Sequence, residues 1–223
     1  MPTVTPVLAA ADLARDFGGV HALRGVSFEL RAGELAGLSG PSGSGKTTLL
    51  HLLATIDTPT AGGVRLLGRE VSRLSRGQRA ALRLQHVGLV FADHNLSPAL
   101  TLAENVELPL ALAGRADAAA RVRSALERLG VGELAPRFPD QVSSGQRQRA
   151  AVARALAGEP AVLLLDEPTA HLDSTAAAAL VEEVRALVAE RGVAALLASH
   201  DPAVLGRCER QLRLRDGQLE ADA

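Results

Sequence analysis

LAGLSGPSGSGKTTLLHLLATI, residues 35–56, is the stretch on which the fold turns. Leu35 to Ser39 is a short apolar run of the kind that fills a buried strand, a Gly/Ser turn follows, and a helical run extends from about Lys46 to Ile56. The turn, Gly40-Pro41-Ser42-Gly43-Ser44-Gly45-Lys46-Thr47, fits G-x-x-x-x-G-K-[ST] in the strand, loop and helix order that this pattern requires. Its glycines let the backbone wrap a phosphate so that the N–H groups of the loop and of the helix start, through Thr48, face the anion. Lys46 is placed to reach β- and γ-phosphates as a compact charge, and the Thr47 hydroxyl to ligate Mg²⁺. An ordinary Gly/Ser turn is the alternative that the rest of the chain has to exclude.

Lys46 is the only lysine among 24 basic residues. With Ala, Gly and Arg abundant and Tyr absent, compositional drift in a GC-rich genome accounts for the bias, and such drift replaces every lysine whose chemistry arginine can copy. Lys46 is therefore chemically constrained.

The 223 residues, 47% apolar and 22% charged, suffice for a real core and describe neither a disordered nor a fibrous chain. A formal net charge of −1, without long single-sign runs, argues against nucleic acid or an anionic membrane surface as a partner. No apolar stretch approaches the roughly 20 residues needed to span a bilayer, and the N-terminus lacks the basic start and apolar block of a signal peptide. The expected location is cytoplasmic. A lone cysteine, Cys208, agrees with a reducing compartment and receives no role.

Residues 1–33 alternate in short apolar runs broken by Gly18-Gly19 and Ala32-Gly33, as antiparallel strands do. Ala161 to Leu165 and Val193 to Ala198 read as two further buried strands, each followed by polar and then helical sequence. The expected fold is α/β: a mainly parallel sheet flanked by helices, with an N-terminal antiparallel β subdomain. Residues 93–141 are helix-prone, notably Asp117 to Leu129, and carry Pro98, Pro109, Pro136 and Pro139. They read as a helical lobe inserted between core segments 1–92 and 142–223 of one domain. Gln211 to Glu220 alternates around Asp216-Gly217 and reads as a closing hairpin.

Val162-Leu-Leu-Leu-Asp166-Glu167 is a buried strand ending in two acids. Side chains alternate along a strand, so the two carboxylates can take different tasks: Asp166 supporting Mg²⁺, Glu167 polarising an attacking water. A solvated turn is the plainer reading of such an ending in isolation, and the phosphate loop upstream overrides it.

Val142-Ser143-Ser144-Gly145-Gln146, continuing into the helical run Arg147 to Leu156, resembles the signature of ATP-binding cassette (ABC) transporter ATPase subunits. It stands just before Asp166-Glu167-Pro168, as in that family. Ala170-His171-Leu172-Asp173 is similar to the family's D-loop and Ser199-His200-Asp201 to its H-switch, so five ordered motifs cover most of the chain. From the residues alone, Ser143 and Gly145 at a helix start suit either a phosphate or a simple N-cap.

The resemblance implies that Ser143, Ser144, Gly145 and Gln146 meet the γ-phosphate of ATP held by a second copy of the chain. Two cassettes then pair around two nucleotides, with Asp173 as the D-loop aspartate. It implies that His200 senses the γ-phosphate and that Phe17 stacks on adenine. Phe17 as simple packing is the alternative, and Phe28 reads as strand core. His21, His51, His86 and His94 remain unassigned.

Two departures stand out. The family carries a glutamine after Val-Phe that touches Mg²⁺ and water; here Leu89-Val90-Phe91 leads into Ala92, with Asp93 the candidate replacement. Ser144 stands where the signature has its first glycine. Asn95 to Leu110 resembles the branch serving lipoprotein-release, macrolide-export and cell-division permeases, in which this surface grips a short helix of an integral membrane permease. Burial in the lobe's own core would explain the same leucines. The resemblance thus implies an ATPase that powers a separate permease. A nucleotide-dependent scaffold with weak turnover is the alternative, and a soluble cassette of DNA repair or translation is disfavoured by the lack of long insertions and of a basic surface.

Overall fold

The computed structural model describes residues 5–220. In chain order the elements are β1 (Leu8–Phe17), β2 (Val20–Leu30), β3 (Leu35–Ser39), α1 (Lys46–Leu53), β4 (Ala61–Leu66), β5 (Arg69–Glu70), α2 (Arg76–His86) and β6 (Val87–Val90). Then follow α3 (Leu102–Leu112), α4 (Ala118–Arg128), α5 (Ser144–Ala157), β7 (Val162–Asp166), α6 (Ser174–Arg191), β8 (Ala194–Ala198), α7 (Pro202–Leu205), β9 (Arg210–Arg215) and β10 (Gln218–Leu219).

A six-stranded sheet in the order β10-β9-β3-β8-β7-β6 is parallel throughout except for β10 at its edge. A second, antiparallel sheet in the order β2-β1-β4-β5 covers part of it. Gly18 and Gly19, both at positive φ, close the β1–β2 hairpin, because a two-residue turn that matches strand twist needs that conformation twice.

Alternation along β7 and β8 sends side chains into two separate cores. Leu163, Leu165, Ala195 and Leu197 pack with α3 to α6, whereas Leu164, Leu196 and Ala198 pack with Leu49 to Leu53 of α1 and with Leu8, Leu13, Val26 and Leu30 of the antiparallel sheet. Burial on both faces is why these strands read as unbroken apolar runs. Alanines on α5 let that helix lie flush on β6, where a Cβ on Gly88 would come within 2.4 Å of the Ala155 carbonyl oxygen.

The expected helix from Lys46 stops at Leu53, since Ala54 caps it and Thr55 turns to φ 60°. Strands β4 and β5 and helix α2 were outside the sequence reading. In β4, Gly62 stands at φ 76° and a Cβ there would meet the Asp12 carbonyl oxygen at 2.1 Å, so conformation and space both require glycine and the strand carries a residue typical of turns. Helix α2 buries only Leu82 and owes its start to a capping box between Ser75 and Gln78.

Cys208 is partly buried beside Gly37, and burial pushes its thiol up to about 11. The thiolate is the reactive form, so thiol–disulfide exchange with an aromatic disulfide reagent at pH 8, which forms a mixed disulfide and releases the reagent's thiolate, should run roughly 100-fold slower in the folded chain than after unfolding in denaturant. Equal rates would contradict this placement. No helix among the described residues is long and apolar enough to cross a membrane.

Candidate functional site

The loop from Gly40 to Gly45 is wedged between β9 and β2. A Cβ on Gly40 (φ 152°) would lie 2.2 Å from the Leu214 carbonyl oxygen, and one on Gly45 (φ 105°) 2.5 Å from that of Ala22, so both positions require glycine. Gly45 is the N-cap of α1 and brings no side-chain cap. The first N–H groups of the helix are thus left for a ligand, the usual condition for anion binding. Lys46 Nζ donates to the Gly40 carbonyl at 2.7 Å and to that of Pro41 at 3.2 Å, which folds its ammonium back over the loop. The Ser44 hydroxyl is buried without a hydrogen-bond partner.

One groove is lined by Gly40 through Thr48, by Val20, His21 and Ala22 of β2, and by Asp166, Glu167 and His200. Asp166 ends β7 and is 7% exposed; its Oδ2 accepts from the Thr47 hydroxyl at 2.8 Å. Burial pushes the Asp166 carboxyl above its ordinary range, against the lowering effect of the Thr47 bond. A buried carboxylate with a hydroxyl beside it and, among the described residues, no salt-bridge partner is a site that gains from a divalent cation. Thr47 and Asp166 offer two hard oxygens, which suits Mg²⁺ shared with phosphates rather than held in an all-protein cage.

Glu167 turns the other way. Its backbone stands at φ 47°, its N–H donates to the Ala198 carbonyl at 3.0 Å, and its Oε2 lies 3.0 Å from His200 Nδ1. Parallel pairing of Asp166 with Ala198 is what delivers His200, two residues beyond Ala198, to the acid. A carboxylate oriented by an imidazole at the mouth of a phosphate groove is equipped to take a proton from water.

The other expected residues lie elsewhere. Phe17, 49% exposed at the hairpin tip, has the Arg15 guanidinium over its ring at 4.3 Å, while Phe28 is buried in the core. Ser143 is the N-cap of α5: its hydroxyl accepts from Gln146 N–H at 3.2 Å while Gln146 Oε1 accepts from Ser143 N–H at 2.9 Å. Ser143, Ser144, Gly145 and Gln146 do not line this groove. Asp173 caps α6 through Oδ1, accepting from Thr175 and Ala176. Ala92 and Asp93 are exposed and stand outside the lining of the groove.

Two features lay beyond the sequence reading. His21 lines the groove with Asp16 at 2.7 Å from its Nδ1, and His94 stacks on His171. A single histidine, on a strand as at His21 or in a loop as at His94 and His171, carries no pattern that announces either contact.

Residues 23–170 match the family described as ABC transporter. The chain is 43% identical over 221 residues, covering 96% of it and 97% of the relative, to the lipoprotein-releasing system ATP-binding protein LolD 2 of Caulobacter vibrioides. It is 42% identical over 208 residues, covering 92% of it but 29% of that longer protein, to a macrolide export ATP-binding/permease protein of Syntrophobacter fumaroxidans. A dimeric ATP-binding cassette solved in a post-hydrolysis state with ADP and Pi superposes with a TM-score of 0.90 at 33% identity, covering 97% of each chain. The family match, the relatives and the superposed cassette agree with one another: this chain belongs to the ABC transporters, as an ATP-binding, ATP-hydrolysing cassette.

Proposed function

We propose that the chain is the energising subunit of a two-component transporter, closing with a second copy of itself around two MgATP to drive a separate integral membrane permease. The observation that carries this is the division of the expected ATP contacts: Lys46, Thr47, Asp166, Glu167 and His200 share one groove, whereas Ser143 to Gln146 stand outside it. Contacts from α5 to that nucleotide then come from a partner, with the uncapped donors at its N-terminus facing the γ-phosphate. The dimeric cassette among the similar structures supports the same arrangement.

Within the site, Gly40 to Thr48 bind the phosphates, Lys46 neutralises the β- and γ-oxygens, and Phe17, braced on one face by Arg15, offers the other to the base. Thr47 and Asp166 hold Mg²⁺, which when bound offsets phosphate charge. Glu167 accepts the proton of the attacking water and His200 keeps that carboxylate oriented. Asp173 steadies the loop that faces the partner copy. The domain division follows the same reading: residues 93–141, containing α3 and α4, form the lobe, and 1–92 with 142–223 the ATPase core.

A groove bordered by Leu84, Leu89, Leu108, Leu112 and Arg154 is the surface for the permease. The Asn95 to Leu110 segment serves two ends at once. Leu102, Val106 and Leu110 are buried in the lobe, but Leu108 and the following Leu112, the latter 69% exposed, are free to meet an apolar helix. Such docking would hold the cassette on the inner face of the membrane, and the names of the relatives point to lipoprotein release or macrolide export.

A second reading, a scaffold with weak turnover, draws on Ala92 and Ser144. Phosphate release under saturating MgATP separates the two. If the missing amide limits catalysis, Ala92→Gln should raise turnover by roughly 30-fold or more, the value of about 2 kcal/mol of barrier, while Asp93→Ala changes it less than about twofold. Damage from Asp93→Ala would instead make Asp93 the metal-side replacement, and turnover no higher than that of Lys46→Ala would contradict the energising role.

A further inference from the structure

The loops that leave the neighbouring parallel strands β6 and β7 run side by side, and two histidines meet between them. The rings of His94 and His171 are stacked, with centroids 5.5 Å apart and planes 30° from parallel. His94 is 8% exposed and its Nε2 is buried with no hydrogen-bond partner, whereas His171 is exposed. His94 and Asn95 both hold left-handed backbones, φ 65° and 48°, which residues with a Cβ enter only when surrounding contacts enforce it. Arg154 of α5 supplies that enforcement by donating to the carbonyls of His94 at 3.0 Å and Asn95 at 2.5 Å. Burial lowers the His94 pKa, so the ring packs in its neutral form.

His171 lies in the short loop between Glu167 and α6. Turns close that loop at both ends: Ala170 N–H donates to the Glu167 carbonyl, Leu172 N–H to that of Thr169, and Asp173 caps α6. Leu172 packs on α5 at Gly145, where a Cβ would lie 2.9 Å from its Cδ2. His171 projects from the middle of this loop and stacks on His94. Arg154, which fixes His94 from behind, also borders the apolar groove assigned to the permease.

We infer that His94 and His171 are a positioning pair for ATP hydrolysis: their stacked rings hold the loop after β7, and with it the Glu167 carboxylate, against the loop after β6 and α5. This inference rests on Glu167 being the base. A loop displaced by even an ångström costs turnover rather than ground-state affinity, because the phosphate contacts of Lys46 and Gly40 to Thr48 lie on other elements.

Steady-state ATP hydrolysis in four variants tests it. His171→Ala and His94→Ala should each lower kcat roughly 3- to 10-fold, the scale of an aromatic pair, with KM within about twofold. His171→Phe and His94→Phe keep a stacked ring and should stay within about twofold of the parent. The double alanine variant should be no slower than the single ones, since the pair acts as a unit. His171 is exposed, so its variants fold even if His94→Ala does not. An unchanged kcat in His171→Ala, or phenylalanine variants as slow as the alanine ones, overturns the pairing. Glu167→Gln in the same assay separates the two levels: full turnover there removes the base assignment, whereas a loss there with silent histidine variants removes only the pair.

Discussion

Lys46→Ala is expected to weaken ATP binding at least about 100-fold, since two charge-assisted contacts to phosphate are lost at roughly 1.5 to 3 kcal/mol each. No other lysine exists in the chain to compensate. The ammonium bonds the loop carbonyls of Gly40 and Pro41, which keeps it over the loop where phosphate oxygens would lie. Arginine should fail as well, because its planar fork does not reproduce a compact ammonium at the bend of a closed loop. Isothermal titration with ATP reads both variants. Parent-like affinity in Lys46→Ala would remove the phosphate-loop reading.

The second large effect falls on the chemical step. Glu167→Gln keeps shape and hydrogen-bonding reach but cannot take a proton, so phosphate release should drop by about 10² to 10⁴-fold while ATP affinity holds within about threefold. The geometry supports that separation. Glu167 meets His200 and the Ala198 carbonyl, whereas Asp166 meets Thr47, so the substitution leaves the expected metal oxygens in place. An affinity loss as large as the rate loss would mean that Glu167 holds nucleotide rather than activating water.

How much of this could be read beforehand depended on whether a residue type was dictated by local backbone demands. Gly40 and Gly45 sit against carbonyl oxygens that exclude a Cβ, and Lys46 and Thr47 belong to one helix start, so the loop was legible as a string. Strand alternation allowed Asp166 and Glu167 different directions, but the turn that separates them is the left-handed backbone of Glu167 (φ 47°) just past the end of β7, which alternation does not announce. Leu35 to Ser39 was legible to the residue because both of its faces are buried. By contrast, β4 hides behind Gly62, whose close approach to β1 gives a strand the composition of a turn, and α2 exposes nearly all of its surface. The leucines of Asn95 to Leu112 could not be sorted from spacing, because α3 faces the lobe core on one side and the apolar groove on the other. His94 and His171 meet only because β6 and β7 are neighbours in the sheet, a fact of topology. Ser143 caps α5 and stands outside the groove at Lys46, and capping does not decide between its two readings because the cap and a contact to a partner's nucleotide use the same helix start.

Closure of two copies around ATP is the claim on which the transport role depends, and the mass of Glu167→Gln in solution tests it most directly. Light scattering with MgATP should give twice the monomer mass, and ADP in place of ATP should return the monomer. A chain that binds MgATP by titration yet stays monomeric in the same buffer would contradict the account.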